Sequence, residues 1–267
     1  MQSVVRIPTR PTVASYQYIH ARPAETTEVL IRRFTGVGDP EWTYDVRPIA
    51  FAAPLPSTWP YTQRDFERAD EQPDINFYIQ PRLVYHVDEG AATALLRYYD
   101  DAIPDGSAIL DLCSSWTSHF PFDFAQRMSS IVGVGISASE LACNDQLSRA
   151  VEQDLNAEPS LPFPAATFDV ITCSLSMDYM TRPRELLREA RRVLRPQGKL
   201  IIAQSDRCFL KKAVNVWTRD LSDEAHLRVL GTYISAAGGF DRPTAFDISA
   251  RGPGTKNPMF IVTALRT

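Results

Sequence analysis

Four short apolar runs, each followed by a helix-like pattern, limit what this chain can fold into more than any other feature. They are "SAILDLCSS" (107–115), "SIVGVGIS" (130–137), "TFDVITCSLS" (167–176) and "GKLIIAQS" (198–205). Runs of this length, rich in Ile and Val and separated by helical stretches, read as buried strands of βαβ units. A shorter segment, "AVEQDLN" (150–156), adds a strand between the second and the third of them. The helical stretches are "VDEGAATALLRYYDDA" (87–102), "HFPFDFAQRM" (119–128), "SASELACNDQLSRA" (137–150) and "PRELLREARRVL" (183–194). In the first, Ala91, Leu95, Leu96 and Tyr99 fall on one face. In the last, Leu186, Leu187, Ala190, Val193 and Leu194 point inward, and Pro196 and Gly198 stop it. A further helix, "DEAHLRVLGTYISAAGG" (223–239), leads to a hairpin of "TAFDISA" (244–250) and "MFIVTALR" (259–266). Five strands joined by helices must be largely parallel, because a parallel return needs a crossover, and the hairpin adds an antiparallel edge. The expected class is α/β, with an open, doubly wound, mostly parallel sheet.

Residues 1–72 read differently. Pro40, Pro48, Pro54, Pro56 and Pro60 punctuate them, and Pro73 closes them. "TTEVLIRRFTG" (26–36) suits a short strand or helix, and "TQRDFERADEQ" (62–72) a charged helix. The expectation is a Pro-rich N-terminal extension or lid (1–72) ahead of one domain (73–267).

Composition narrows the partners. The net charge is −4, with no basic run, which argues against binding nucleic acid through its phosphates. No apolar stretch approaches the roughly 20 residues that cross a bilayer. Cys113, Cys143, Cys173 and Cys208 are widely spaced without a CxxC pair, so neither a zinc site nor a disulfide framework is expected. A soluble, cytoplasmic protein with reduced thiols and no metal follows. The first residues hold three Arg and no acid before Glu25, which suits an organelle transit peptide, although Pro8, Pro11 and Pro23 interrupt any helix there.

Together, "LPFPAATFDVITCSLSMDYM" (161–180), "ELLREARRVLRPQGKLIIAQSD" (185–206), the "GGF" at 238–240 and the closing hairpin resemble the class I S-adenosylmethionine-dependent methyltransferases. The resemblance is to their small-molecule branch, near the ubiquinone/menaquinone and arsenite enzymes, and covers about residues 85–267. Gln197 stands where that family has a second glycine. The resemblance implies a seven-stranded sheet of order 3-2-1-4-5-7-6. It also implies S-adenosylmethionine over the carboxyl ends of strands one to four, S-adenosylhomocysteine as product, and a small-molecule acceptor.

Its site residues carry over unevenly. Asp111 holds the acidic position that orients the methionine end. The glycine loop expected next is replaced by Cys113, Ser114, Ser115 and Trp116; the serines are the next smallest choice, and Trp116 either walls the acceptor pocket or is a core aromatic. Gly135 stands where an acid usually takes the ribose. Glu140 either reaches in from the following helix or is a solvated acid favoured by the helix dipole. Asp154 and Leu155 suit the adenine amino group and ring, while Ser174, Tyr85 and Tyr78 lie on segments that border the methionine end. "GVGISA" (133–138) with Asp154 also satisfies a dinucleotide fingerprint, so a nicotinamide-dependent oxidoreductase is a minor alternative.

Methyl transfer is an in-line displacement that needs alignment, and a base only where the acceptor carries a proton. His119, Asp178 and Tyr179 follow strand ends and are the candidate catalytic residues. Each also has a structural reading, as does a rim of Cys113, Cys173 and Cys208, which is either inert core or suited to a soft acceptor. "SLSMDY" (174–179) lacks the signature of amino-group methylation. An active methyltransferase is the favoured reading, and a binding or scaffold protein with an eroded glycine loop the alternative. The acceptor and the oligomeric state stay open.

Overall fold

The computed structural model describes residues 42–267. The transit-like start and the 26–36 segment lie outside them. The eight strands are β1 (Arg47–Ile49), β2 (Ala108–Leu112), β3 (Ser130–Gly135), β4 (Arg149–Glu152), β5 (Phe168–Ser174), β6 (Leu194–Gln204), β7 (Thr244–Asp247) and β8 (Phe260–Leu265). They form one sheet in the order β4-β3-β2-β5-β6-β8-β7-β1. Strands β4, β3, β2, β5 and β6 are parallel, and β8, β7 and β1 join antiparallel. Without β1 this is the 3-2-1-4-5-7-6 order of the class I methyltransferase fold. The eighth strand corrects the expected seven. It comes from the N-terminal segment, and Arg47 pairs with Asp247 of β7 at 2.8 Å.

Alternation along the strands divides the core in two. Leu110 and Leu112 face one layer, with Leu186 and Leu187 of helix α4 (Pro183–Val193) and Leu230 and Tyr233 of α6 (Asp223–Ala237). Ile109 faces the other layer, with Leu95, Tyr98 and Tyr99 of α1 (Glu89–Ala102). Tyr98, not the expected Leu96, completes the buried face of α1. Each fully buried Leu stabilises the fold by about 1.5–3 kcal/mol. Trp59, Tyr61 and Phe66 pack around Tyr233 with ring centroids 5.3–6.0 Å apart, so the segment before residue 73 adds to the α6 layer.

Two expected helices shrink to single turns, α2 (Phe124–Arg127) and α3 (Ala138–Leu141). The buried side chain of Asn144 explains the second. Its Nδ2 donates to Ser115 O (2.9 Å) and Ser118 Oγ (3.0 Å), and its Oδ1 accepts from Gln146 N, all outside a helix ladder. The expected 62–72 helix is one 3₁₀ turn, Gln63–Phe66. A last short helix, α5 (Asn215–Thr218), precedes α6. Gln197 holds a φ of 64°, a conformation that accounts for the glycine usual there. No helix of the described residues is long and apolar enough to cross a membrane.

Candidate functional site

The carboxyl ends of β2, β3, β4 and β5 converge on two joined cavities. Asp111, near the end of β2, is 3% exposed. Its Oδ1 accepts from Thr172 Oγ1 of β5 (2.8 Å) and its Oδ2 from Ser118 Oγ (2.7 Å). Burial pushes its carboxyl up to about 6, and the hydroxyl donors work against that. The chain then turns at Cys113 (φ 55°), and Ser114 N donates to Val134 O of β3 at 2.8 Å. That stitch sets the neighbouring strand end. A Cβ on Gly135 would sit 2.0 Å from the Ser114 carbonyl oxygen, so no side chain fits there. The next acid in the chain beside this strand end is Glu140.

Glu140, in the first turn of α3, is 2% exposed and borders both cavities. It accepts from Ser115 Oγ (2.5 Å) and Arg82 N (2.7 Å). Of its two sequence readings, the solvated one is thereby corrected.

The narrower cleft, about 90 Å³, runs past Gly135, Asp154, Leu155 and Asn156 to Phe77 and Lys212. Asp154 uses one oxygen to accept from Asn156 N (2.9 Å) and Ala157 N (3.3 Å), holding the turn after β4. Leu155 is buried beside it. Asn156 Nδ2 donates to Asp74 (2.9 Å), which also binds Arg68 (2.8 Å) and lies 3.2 Å from Lys212, tying the pre-domain segment to this end.

The larger chamber, about 320 Å³, is bounded by Tyr85, Trp116, His119, Ser174, Arg82 and Arg207. Ser114, Ser115, Glu140 and Tyr179 border both spaces, so the two are continuous. Trp116 is a wall: its ring meets Tyr85 edge-on at 4.9 Å and its Nε1 donates to Val84 O (3.3 Å). Ser174 shares a hydrogen bond with Tyr99 Oη (2.8 Å). His119 stands in a left-handed conformation (φ 59°), and burial holds its imidazole down to about 4, so it is neutral at pH 7. Tyr179 accepts from Phe209 N (2.9 Å), and burial raises its phenol far above the usual range.

Asp178 departs from its expected position. It is fully buried, borders neither cavity, and neither carboxylate oxygen has a hydrogen-bond partner among the described residues. Burial pushes its carboxyl up to about 8. Among the thiols, Cys113 and Cys208 border the chamber while Cys173 is buried behind it, and all four cysteines are free. The described residues contain no cluster of three His, Cys, Asp or Glu side chains fit to hold a metal. Arg82 and Phe209 escaped the sequence reading, since an isolated surface residue carries no pattern; Arg207, with Asp206, is readable as a residue following the fifth strand of the domain.

Residues 110–202 match a family model described as a methyltransferase domain. The ubiquinone/menaquinone biosynthesis C-methyltransferase UbiE of Ruegeria sp. is 38% identical over 122 residues, 40% of this chain and 48% of that protein. The uncharacterized methyltransferase YcgJ of Bacillus subtilis is 30% identical over 129 residues, 45% of this chain and 50% of that one. The chain thus spans about half the length of these curated relatives. Among solved structures, an S-adenosylmethionine-dependent methyltransferase of Thermotoga maritima, described as a possible histamine N-methyltransferase, superposes with a TM-score of 0.49. It is 15% identical, over 67% of this chain and 90% of that one.

Proposed function

We propose, with residues 110–202 belonging to the methyltransferase domain family and the sheet having class I strand order, that this chain is an S-adenosylmethionine-dependent methyltransferase for a small-molecule acceptor. One observation carries the reading. A continuous space crosses the strand ends, from a cleft with a carboxylate and an apolar floor to an aromatic-walled chamber.

The residues present fit the cofactor from end to end. Asp154 offers its remaining oxygen to the adenine amino group, and Leu155 an apolar surface to the ring. Gly135 leaves room for a ribose that Glu140 is positioned to bind through its hydroxyls. Ser114, Ser115 and the carboxylate of Asp111 border the methionyl end, where hydroxyls and negative charge suit an ammonium group. Ser174 and Tyr85 line the chamber beyond. When bound, S-adenosylmethionine supplies a methyl carbon whose bond to sulfur breaks as the acceptor's electron pair forms the new bond, leaving S-adenosylhomocysteine. Tyr85, Trp116 and Tyr179 exclude water and hold the acceptor in line. His119, neutral at physiological pH, can take the proton of an acceptor that releases one. The UbiE relatives are named as C-methyltransferases, which supports an acceptor carbon with such a proton.

Calorimetric titration with S-adenosylhomocysteine, with NADPH in parallel, tests the reading. Micromolar binding of the first, lost in Asp111→Ala, is the expected result. Binding of NADPH alone would favour the oxidoreductase, and binding of neither would favour a scaffold.

A further inference from the structure

The larger chamber is bordered by two arginines that, among the described residues, hold no ion pair. Its lining contains two acids and two guanidinium groups, Asp111, Glu140, Arg82 and Arg207. Among the described residues, neither guanidinium has a carboxylate within ion-pair distance. Arg82 instead lies 3.9 Å over the Phe77 ring and 5.6 Å over the Phe209 ring, and its Nε donates to Phe77 O (3.4 Å). Asp206, next to Arg207 in the chain, accepts from Ser205 Oγ (3.1 Å) and Asn257 Nδ2 (3.3 Å).

The argument rests on the methyltransferase reading, because the cofactor brings a carboxylate that can pair with one guanidinium and leaves the other for the acceptor. Besides Asp111 and Glu140 the chamber lining holds no acid, and Asp206 lies outside ion-pair distance of Arg207. Burial holds the His86 and His119 imidazoles down and neutral, and pushes the Cys208 thiol up to about 11 and the Tyr85 phenol up to about 12.

Arg82 belongs to the cofactor half, since its backbone N–H donates to Glu140. Arg207 stands on the far rim beside Cys208 and Phe209. We propose that the acceptor is an aromatic carboxylate, with its acid group paired to Arg207 and its ring against Tyr85, Trp116, Tyr179 and Phe209. A guanidinium binds a carboxylate through two parallel hydrogen bonds, which orients the ring as well as holding it. The aromatic walls already meet one another edge-on or tilted, Tyr85 with Trp116 at 4.9 Å and Tyr179 with Phe209 at 6.2 Å. A chamber of about 320 Å³ accommodates a single substituted ring.

The test is calorimetric titration of the full chain, saturated with S-adenosylhomocysteine, with 4-hydroxybenzoate, salicylate and the neutral amide of each. At least one acid is expected to bind tenfold or more tightly than its amide, and to weaken as salt is added. Arg207→Gln abolishes that preference, Arg207→Lys keeps part of it, and both leave the affinity for S-adenosylhomocysteine unchanged. Acids and amides that bind alike, no binding of any probe, a preference that survives Arg207→Gln, or loss of S-adenosylhomocysteine binding in that variant would each overturn the proposal. A wild-type protein that takes no S-adenosylhomocysteine sinks the methyltransferase reading instead. The acid–amide comparison is then read on the unliganded chain, where Arg207→Gln must still abolish the preference.

Discussion

The loops leaving β2 and β5 begin alike and end with opposite uses of an acid. The strands are hydrogen-bonded neighbours, with Leu112 opposite Cys173. Each loop opens through a non-glycine residue at positive φ, Cys113 at 55° and Leu175 at 54°. After β2, the Ser118 hydroxyl folds back onto one oxygen of Asp111, and Thr172 of the neighbouring β5 supplies the other with a donor. After β5, the 3₁₀ turn Met177–Tyr179 swings Tyr179 out to the cavities and Asp178 into the core, where it finds no partner. Burial raises both carboxyls, Asp111 to about 6 and Asp178 to about 8. The hydrogen-bonded acid thus stays charged at pH 7 while the unpartnered one keeps its proton. The supply of donors, more than nearness to the strand end, decides which acid stays charged beside the cavities.

The most severe way to break this arrangement is to restore an acid on β3. In Gly135→Asp the new Cβ meets the Ser114 carbonyl oxygen at 2.0 Å, and backbone cannot rotate away as a side chain can. The loop after β2 must lift. The expected cost is about 3 kcal/mol or more in urea unfolding, with loss of S-adenosylhomocysteine binding. A stable Gly135→Asp that binds normally would mean that the Ser114 stitch is not what excludes the side chain.

Acidity separates the two carboxylates next. A group whose folded pKa is raised favours the native state below its unfolded pKa, and that contribution is lost as pH rises through the folded value. For Asp178 the loss runs from about pH 4 to about pH 8, and for Asp111 from about pH 4 to about pH 6. Asp178→Asn is therefore expected to remove a decline in stability between pH 6 and 8, on the order of 2 kcal/mol, while Asp111→Asn removes only about 0.4 kcal/mol in that window. Urea midpoints at pH 6 and pH 8 read both. Equal slopes in the two variants would erase the distinction. Affinity for S-adenosylhomocysteine sharpens it, since Asp178→Asn should leave that within twofold.

What was legible in the sequence follows the same division. The order of the strands was what the family resemblance implied, and the strands themselves were readable because Ile109, Val132, Ile171 and Ile201 sit in short apolar runs between helices. Arg47–Ile49 was not, because three residues become a strand only through pairing with β7. Asp111, Ser114, Asp154 and Leu155 could be named from the family resemblance at strand ends, and all border the joined cavities. Asp178 stands equally close to a strand end, and nothing local reveals which way a turn will face. Glu140 was ambiguous for a related reason. The same residue at a helix start is solvated or buried depending on Ser115 and Arg82, which lie 25 and 58 positions away. Helix length was overestimated after β3 because Asn144 bonds to another loop, a competition invisible in periodicity.

At the nucleoside end the expected effect is smaller and confined to binding. Asp154→Ala removes an acceptor for the adenine amino group and also a turn bond to Asn156. Weakening of S-adenosylhomocysteine by about tenfold, or about 1.4 kcal/mol, is expected. Asp154→Asn keeps the turn, because its side-chain oxygen still accepts from the backbone, and should recover part of the affinity. If the asparagine variant binds no better than alanine, the residue acts on the ligand through its charge more than through the turn.

The smallest effect belongs to Trp116, and it distinguishes a wall from a core residue. Trp116→Phe loses the bond from Nε1 to Val84 O, 3.3 Å long and exposed to solvent, together with part of a half-buried ring. An exposed bond of that kind contributes little, and phenylalanine keeps an edge-on contact with Tyr85. Stability is expected to fall by no more than about 0.5 kcal/mol. Binding of S-adenosylhomocysteine should not change, since Trp116 borders the chamber and not the nucleoside cleft. Any measurable effect therefore belongs to the acceptor's KM, with kcat preserved. A loss of several kcal/mol in urea unfolding would instead make Trp116 part of the core, and the chamber would lose one of its walls.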